Sequence, residues 1–484
     1  VNQRVVIPIV YVCAVFMNVM DVTIVNVALP SIGRDFHQRP AALNSVSVAY
    51  LLSLAVVIPA AGWLGARYGT KRIFLAAVAV FTISSGLCGV APTLWTLVIA
   101  RAMQGVGGGA MIPVGMAMLM LTFPPEDRVR VASILVVPTA LGPALGPIVG
   151  GVLSTELSWR WVFYVNVPVG LAVLVFGWTF LIEQRERVDG SFDVWGFVLA
   201  SVGFSVFMFG VSGGASHGWG SLRVAPALVL GAIIIAVLVV VETRSPHPLL
   251  ALHLYRNRLF RSTSLAFLMG ISALFGLLFL VPLFLQIGLG RTALQTGLDV
   301  FPEAIGVMVG GQLASRWLYM RIGPRRSVIA GLVGVGFSGL FMTAFGAGTN
   351  LWIVRSLMFA LGVFMGPVYL SSQATSFATV GRADIGQASS LFNSQRQFGT
   401  AVGIALLSTV LRVAGNSGPS AGSPRSLFGY HAAFAAAGIF AFLGVGIAMK
   451  ISDEDAAKTI VRRKVPVVNG SPDAEPAVAP GSVS

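Results

Sequence analysis

The chain has 484 residues, of which 56% are apolar and 10% charged, with a mean hydropathy of +0.84, far from the composition of a soluble domain. A formal charge of +14 would suit nucleic acid, but roughly 22 of the 32 Lys and Arg fall in segments on the amino-terminal side of the predicted membrane, about 7 on the other side and about 3 inside helices. That asymmetry excludes a nucleic-acid partner, follows the positive-inside pattern with both termini cytoplasmic, and makes anionic lipid headgroups the simplest partners for the charge.

Apolar runs longer than 18 residues recur along nearly the whole chain, which predicts helices and excludes the alternating strands of an outer-membrane barrel. A window reading gives about fourteen such runs. The first lacks a small-residue cleavage site after it and reads as a retained helix rather than a signal peptide. The opening valine fits either an engineered expression product or a start codon other than ATG, the second of which suits a bacterial source, and the expected location is a bacterial inner membrane.

The first helix, predicted over 5–30, carries Asp21 between Asn18, one turn back, and Asn26, just over one turn further on. A carboxylate at that depth costs several kcal/mol if it is charged and faces lipid. Asp21 is therefore expected to meet a partner, a proton or a water-filled surface. The second helix, 44–65, ends in a basic turn containing Gly62, Arg67, Gly69, Lys71 and Arg72. Its glycines let helix ends approach closely, and its cations face anionic lipid. The third helix, 73–91, is plain.

The fourth, 94–121, holds Arg101 and Gln104 followed by a glycine row from Gly105 to Gly109. An arginine two turns inside a helix needs a carboxylate, carbonyl or water. The fifth, 131–153, contains Gly142, Pro143, Gly146, Pro147, Gly150 and Gly151, a small-residue groove with two helix-bending prolines. It reads as a packing groove, a hinge, or both. The stretch from Trp159 to Gly170, opening the sixth helix, is rich in aromatics suited to the membrane interface.

A polar loop, 183–193, leads to two helices read as a spacer pair without internal charge, 194–215 and 224–243, and then to a basic loop over 244–261. A second six-helix group echoes the first. Arg321, Gly323, Arg325 and Arg326 repeat the pattern of Arg67 to Arg72, and Leu351-Trp352 repeats Leu94-Trp95. Such duplicated halves enclose a substrate site near the midplane. In this group Asp299 and Glu303 lie one turn apart, Glu303 being the deeper acid and Asp299 suited to an interfacial cap. Arg355 sits near the start of the fourth helix, and Asn393 and Arg396 line the fifth. Phe16, Met17, Trp63, Phe275 and Phe279 suit either a greasy pocket or ordinary packing.

The expected fold is an all-α polytopic membrane protein of two six-helix halves, 1–182 and 262–450, with an inserted helix pair at 183–261 and a disordered cytoplasmic tail at 451–484. Cys13 and Cys88 are isolated in separate helices, which rules out a CxxC pair. The histidines His37, His217, His247, His253 and His431 show no metal spacing, and no GxxxxGK[ST] loop is present. No cofactor, no metal, no ATP chemistry and no obligate protein partner are therefore expected, and no nucleophile with its base suggests an enzyme.

Three motifs together, Asp21-x-Thr23-Ile24-Val25-Asn26-Val27-Ala28-Leu29-Pro30, Arg101-x-x-Gln104-Gly105 and Gly142-x-x-x-Gly146-Pro147-x-x-Gly150-Gly151, resemble those of the major facilitator superfamily, in its fourteen-helix drug:proton antiporter branch. The likeness runs from Val5 to Lys450, and the Trp159 to Gly170 segment resembles that branch's own marker. It implies a proton-coupled exporter of amphiphilic drugs or toxic compounds, the glycine-proline stretch being associated with exporters. A dedicated exporter of a metabolite, lipid or siderophore is the alternative on the same scaffold. The family's inner-loop pattern has an Asp before Arg67 where this chain has Ala66, so that family ion pair is absent here. The expected proton-coupling residues are Asp21, Arg101 and Glu303, with Asn18, Asn26, Gln104, Asn393 and Arg396 on the substrate pathway. In the expected cycle Asp21 loads and releases a proton as rocking separates it from Arg101 and reunites them.

Overall fold

A computed structural model describes residues 2–185, 192–245, 248–346, 348–415 and 427–459. Thirteen stretches are long and apolar enough to cross a bilayer, and one of these, Gln295–Met342, breaks at Gly323, whose φ of 79° no helix accommodates. Counted on either side of that break, the described residues hold fourteen such helices. The first half comprises α1 (Gln3–Asp35), α2 (Pro40–Tyr68), α3 (Thr70–Gly89), α4 (Leu94–Thr122), α5 (Arg128–Val152) and α6 (Trp161–Phe180). The inserted pair is α7 (Val194–His217) and α8 (Ala225–Arg244). The second half comprises α9 (Arg258–Leu283), α10 (293–322), α11 (324–342), α12 (Leu351–Ser376), α13 (Ile385–Gly415) and α14 (Leu427–Ala448).

Polar caps begin several helices where the chain enters the apolar zone. Thr93 and Thr96 form a capping box on α4, Asn257 accepts from Leu259 N and Phe260 N on α9, and Asn350 accepts from Trp352 N on α12. The lateral order follows from side-chain size. Of its most apolar window, α4 buries 89% inside the protein and α8 only 17%, which puts α4 at the centre of its half and α8 on the lipid side. α4 can be central because its glycines let three neighbours touch its backbone. A Cβ on Gly105 would lie 2.4 Å from Tyr50 O of α2, one on Gly107 2.6 Å from Phe81 N of α3, and one on Gly108 2.4 Å from Asn18 Nδ2 of α1.

On α5, Gly142 meets Val19, Gly146 meets Thr23 and Gly150 meets Ile24, so this row is the seat of α1, while Gly151 faces open space. The helix continues through Pro143 and Pro147, and the Pro147 side chain lies outside the described residues.

Some expectations are corrected. α1 runs on to Asp35 because that carboxylate accepts from Trp159 Nε1 and Arg160 Nη1, both at 2.9 Å. The inserted pair is not free of charge: Glu242 is buried in the last turn of α8, accepting from Leu250 N at 3.2 Å. The pair also does more than space the halves, because α7 straddles their seam. Ser201 donates to Val56 O of α2, and Phe207 stacks on Phe398 of α13 at 5.5 Å. The tail packs as far as Thr459, whose hydroxyl meets Tyr319 Oη at 2.5 Å, and its remainder lies outside the described residues.

The two basic turns are built alike. Gly69 (φ 103°) and Gly323 (φ 79°) reverse the chain, and in each case an acid from just beyond the sixth helix of the half docks on the turn. Glu183 accepts from Lys71 N at 2.9 Å and Arg72 N at 3.3 Å, while Asp453 accepts from Arg325 N at 2.9 Å. Lys71 Nζ donates to Trp178 O and Leu181 O at 2.8 and 2.6 Å, tying α3 to the end of α6. Arg67 occupies the last turn of α2. With Ala66 where the family has Asp, Glu183 is the carboxylate that holds this turn.

Candidate functional site

Asp21 is fully buried, and both of its oxygens are hydrogen-bonded. Oδ2 accepts from Arg101 Nη1 at 2.5 Å, and Oδ1 accepts from Gln104 Nε2 and Asn166 Nδ2, both at 2.9 Å. Arg101, 1% exposed, also donates to Gln104 Oε1 at 2.7 Å, which the three-residue spacing on α4 permits. Its guanidinium lies 4.2 Å from the centre of the Tyr50 ring, and Tyr50 Oη accepts from Asn18 Nδ2 at 2.9 Å. The cluster thus joins α1, α2, α4 and α6, and through Asn166 and Ser85 also α3.

Of the three settings expected for Asp21, a partner, a proton or a water-filled surface, the structure shows the partner, Arg101. The carboxylate finds its compensating charge and amide donors within the first half, so water is not needed there. Asn18 and Gln104, expected on a pathway, belong to the same sealed cluster. Asn26 lies apart from it, exposed, accepting from Ser47 Oγ at 3.1 Å. Asn166 was not among the residues singled out from sequence. Its signal is that it is the one amide in the apolar run of α6, at the point where the helix restarts after Val165.

In the second half Asp299 is a buried node and not an interfacial cap. Its oxygens accept from Arg355 Nε at 2.9 Å and from Arg291 Nη2 at 3.0 Å. Glu303, one turn deeper, is 9% exposed, and no described residue supplies its carboxylate with a hydrogen bond or ion pair. Its backbone packs on Gly362 of α12.

Between the halves lies a central cavity of about 40 Å³, walled by α1, α4 and α5 from one side and by α9, α12 and α13 from the other. The apolar wall includes Val15, Ile112, Met116, Leu135, Phe267 and Phe392. None of the five side chains suggested from sequence for a greasy pocket is among the lining residues. Asn393 and Arg396 do line it, with Tyr11, Tyr369, Gln373 and Thr139. The space holds a water or two and no drug-sized molecule in this conformation.

The halves close on each other at the end of the bundle that bears the termini. There Gly62 N donates to Ser390 Oγ at 2.7 Å, Ser389 Oγ to Pro113 O at 2.8 Å, Arg382 Nη1 to Leu121 O at 3.2 Å, and Arg128 Nη1 to Phe377 O. Gly62 and Gly386 pass so close that a Cβ on Gly62 would lie 2.1 Å from Gly386 O. These are a handful of polar contacts and one glycine crossing, which can separate without unfolding either half.

Residues 11–404 match the family model of the Major Facilitator Superfamily. The chain is 34% identical to the "Multidrug resistance protein B homolog" of Mycobacterium tuberculosis over 397 residues, 81% of this chain and 73% of that protein. It is 31% identical to the "Putative multidrug resistance protein MdtD" of Pectobacterium atrosepticum over 405 residues, 82% of this chain and 85% of that protein. Among solved structures, the human organic anion transporter MFSD10 (TETRAN) superposes with a TM-score of 0.64 at 13% identity, covering 92% of this chain and 99% of that one, a likeness of fold. The chain belongs to the Major Facilitator Superfamily and is a multi-pass membrane transporter.

Proposed function

We propose that this member of the Major Facilitator Superfamily is a proton-coupled antiporter that exports amphiphilic, toxic compounds across a bacterial inner membrane, its arginine-rich, terminus-bearing end facing the cytoplasm. The observation that carries the reading is the central cavity. It is walled by both halves, mostly apolar with a few polar groups, and shut at one end by separable contacts. The multidrug resistance names of the relatives point the same way.

The acids divide the work. Asp21 and Asp299 are held by arginines, whereas Glu303 has no partner among the described residues and can take up or give up a proton without breaking an ion pair. Glu303 is therefore the acid that carries the proton in this conformation. The Asp21–Arg101 pair is a conformational lock, and Asp21 exchanges protons only when α1 moves off α4 and α6. Each proton drawn inward supplies about 2.3 kcal/mol per 100 mV of membrane potential, enough for a substrate gradient of under two decades.

Purified protein in liposomes, given an imposed pH gradient and a panel of amphiphilic compounds, tests the reading. It requires uptake that depends on the gradient and collapses with a protonophore. Flux indifferent to the gradient would overturn it.

A further inference from the structure

We propose that the central cavity selects amphiphiles carrying an anionic group, a carboxylate, sulfonate or phosphate on an apolar body, and that Arg396 is the residue that selects them. The inference deepens the exporter reading and rests on it.

Arg396 projects from α13 into the cavity, and its Nε is buried without an acceptor. Among the described residues its guanidinium makes no hydrogen bond and no ion pair. Two other intramembrane arginines make the contrast. The fold gives Arg101 the carboxylate of Asp21 at 2.5 Å and gives Arg355 that of Asp299 at 2.9 Å. An arginine inside a membrane protein without a counterion is costly, so the fold retains at Arg396 a charge that it neutralises elsewhere.

The other lining residues are all uncharged. A lipophilic cation in this cavity would meet one positive charge and no acid, whereas an anion would meet a planar fork of donors suited to bidentate binding. Tyr369 and Asn393 border the same space and add neutral polar groups, and Phe267 and Phe392, stacked at 5.0 Å, provide a flat apolar wall for the body of the ligand. Exchange of one inward proton for one outward monoanion moves two charges per cycle. A potential negative inside therefore drives it harder than it drives the export of a neutral compound.

The test uses purified full-length protein in liposomes with three fluorescent probes: a pyrene sulfonate, an uncharged pyrene glucamide and the cation ethidium. The wild type is expected to prefer the sulfonate. Arg396→Gln raises its KM by about tenfold or more and moves that of the glucamide less than about twofold, and Arg396→Lys recovers part of the loss. Ethidium preferred over the sulfonate, or an Arg396→Gln variant that shifts both pyrene probes equally, overturns the inference and leaves the exporter reading standing. Transport of none of the three overturns both. Should Arg396→Gln fail to elute as a folded species, the ranking of the three probes by the wild type still decides.

Discussion

Asp21→Asn is the substitution whose consequence can be worked furthest. It removes the charge that Arg101 faces at 2.5 Å and keeps a side chain of nearly the same shape. Breaking one member of a buried ion pair costs about 3–5 kcal/mol, because the remaining charge is left uncompensated. Arg101 retains Gln104 Oε1 at 2.7 Å and the Tyr50 ring at 4.2 Å, so the lower end, about 3 kcal/mol, is expected. Arg101→Gln is expected to cost a similar amount. The double variant, with both charges gone and the amides of Gln104 and Asn166 still present, should return to within about 1 kcal/mol of the wild type.

Thermal unfolding in detergent, followed by loss of the monodisperse peak, measures this. If the first six helices melt as a unit, each single variant melts about 6–12 °C lower and the double variant close to the wild type. Additive losses in the double variant, or an Asp21→Asn protein as stable as the wild type, would refute the view that this pair is a lock.

Glu303→Gln, at an acid without a partner among the described residues, should leave thermal stability within about 1 kcal/mol and abolish transport driven by a pH gradient in liposomes. Gly62→Val must displace the Gly386 backbone, since even a Cβ would sit 2.1 Å from its carbonyl oxygen; cysteines placed beside the crossing should then react faster with a polar maleimide than in the parent. Glu183→Gln weakens the acceptor for Lys71 N and Arg72 N and should cost about 1–2 kcal/mol, read as faster amide exchange in the first turn of α3.

Much of the fold was legible because its signals are long. Apolar runs of bilayer length, the repeated basic turns and the lysine and arginine asymmetry need no tertiary information, and helix number and type follow from them. Boundaries were less legible where a tertiary partner extends a helix, as Trp159 and Arg160 do for Asp35. At the site, the polarity of Asp21, Arg101 and Gln104 marked them out, and the three-residue spacing on α4 implied a shared face. The pairing of Asp21 with Arg101 was expected from the motifs, but the rest of their surroundings was not legible. Whether an intramembrane acid meets water or an arginine depends on which helices the glycine rows bring together, and that is decided by α1, α4 and α5 jointly. Asn166 was hidden by the aromatics around it, and Asp299 by the distance in sequence to Arg355.

The central claim is that a proton moving one way is exchanged for an amphiphile moving the other through the cavity between the halves. The direct measurement is proton movement itself. A pH-sensitive dye is trapped in liposomes holding the purified protein, no pH gradient is imposed, and the pyrene sulfonate is added on one side. The account predicts a substrate-dependent pH change inside the liposomes, of the sign required by antiport, that is lost in Glu303→Gln. Substrate flux at the wild-type rate with no accompanying proton flux would contradict it.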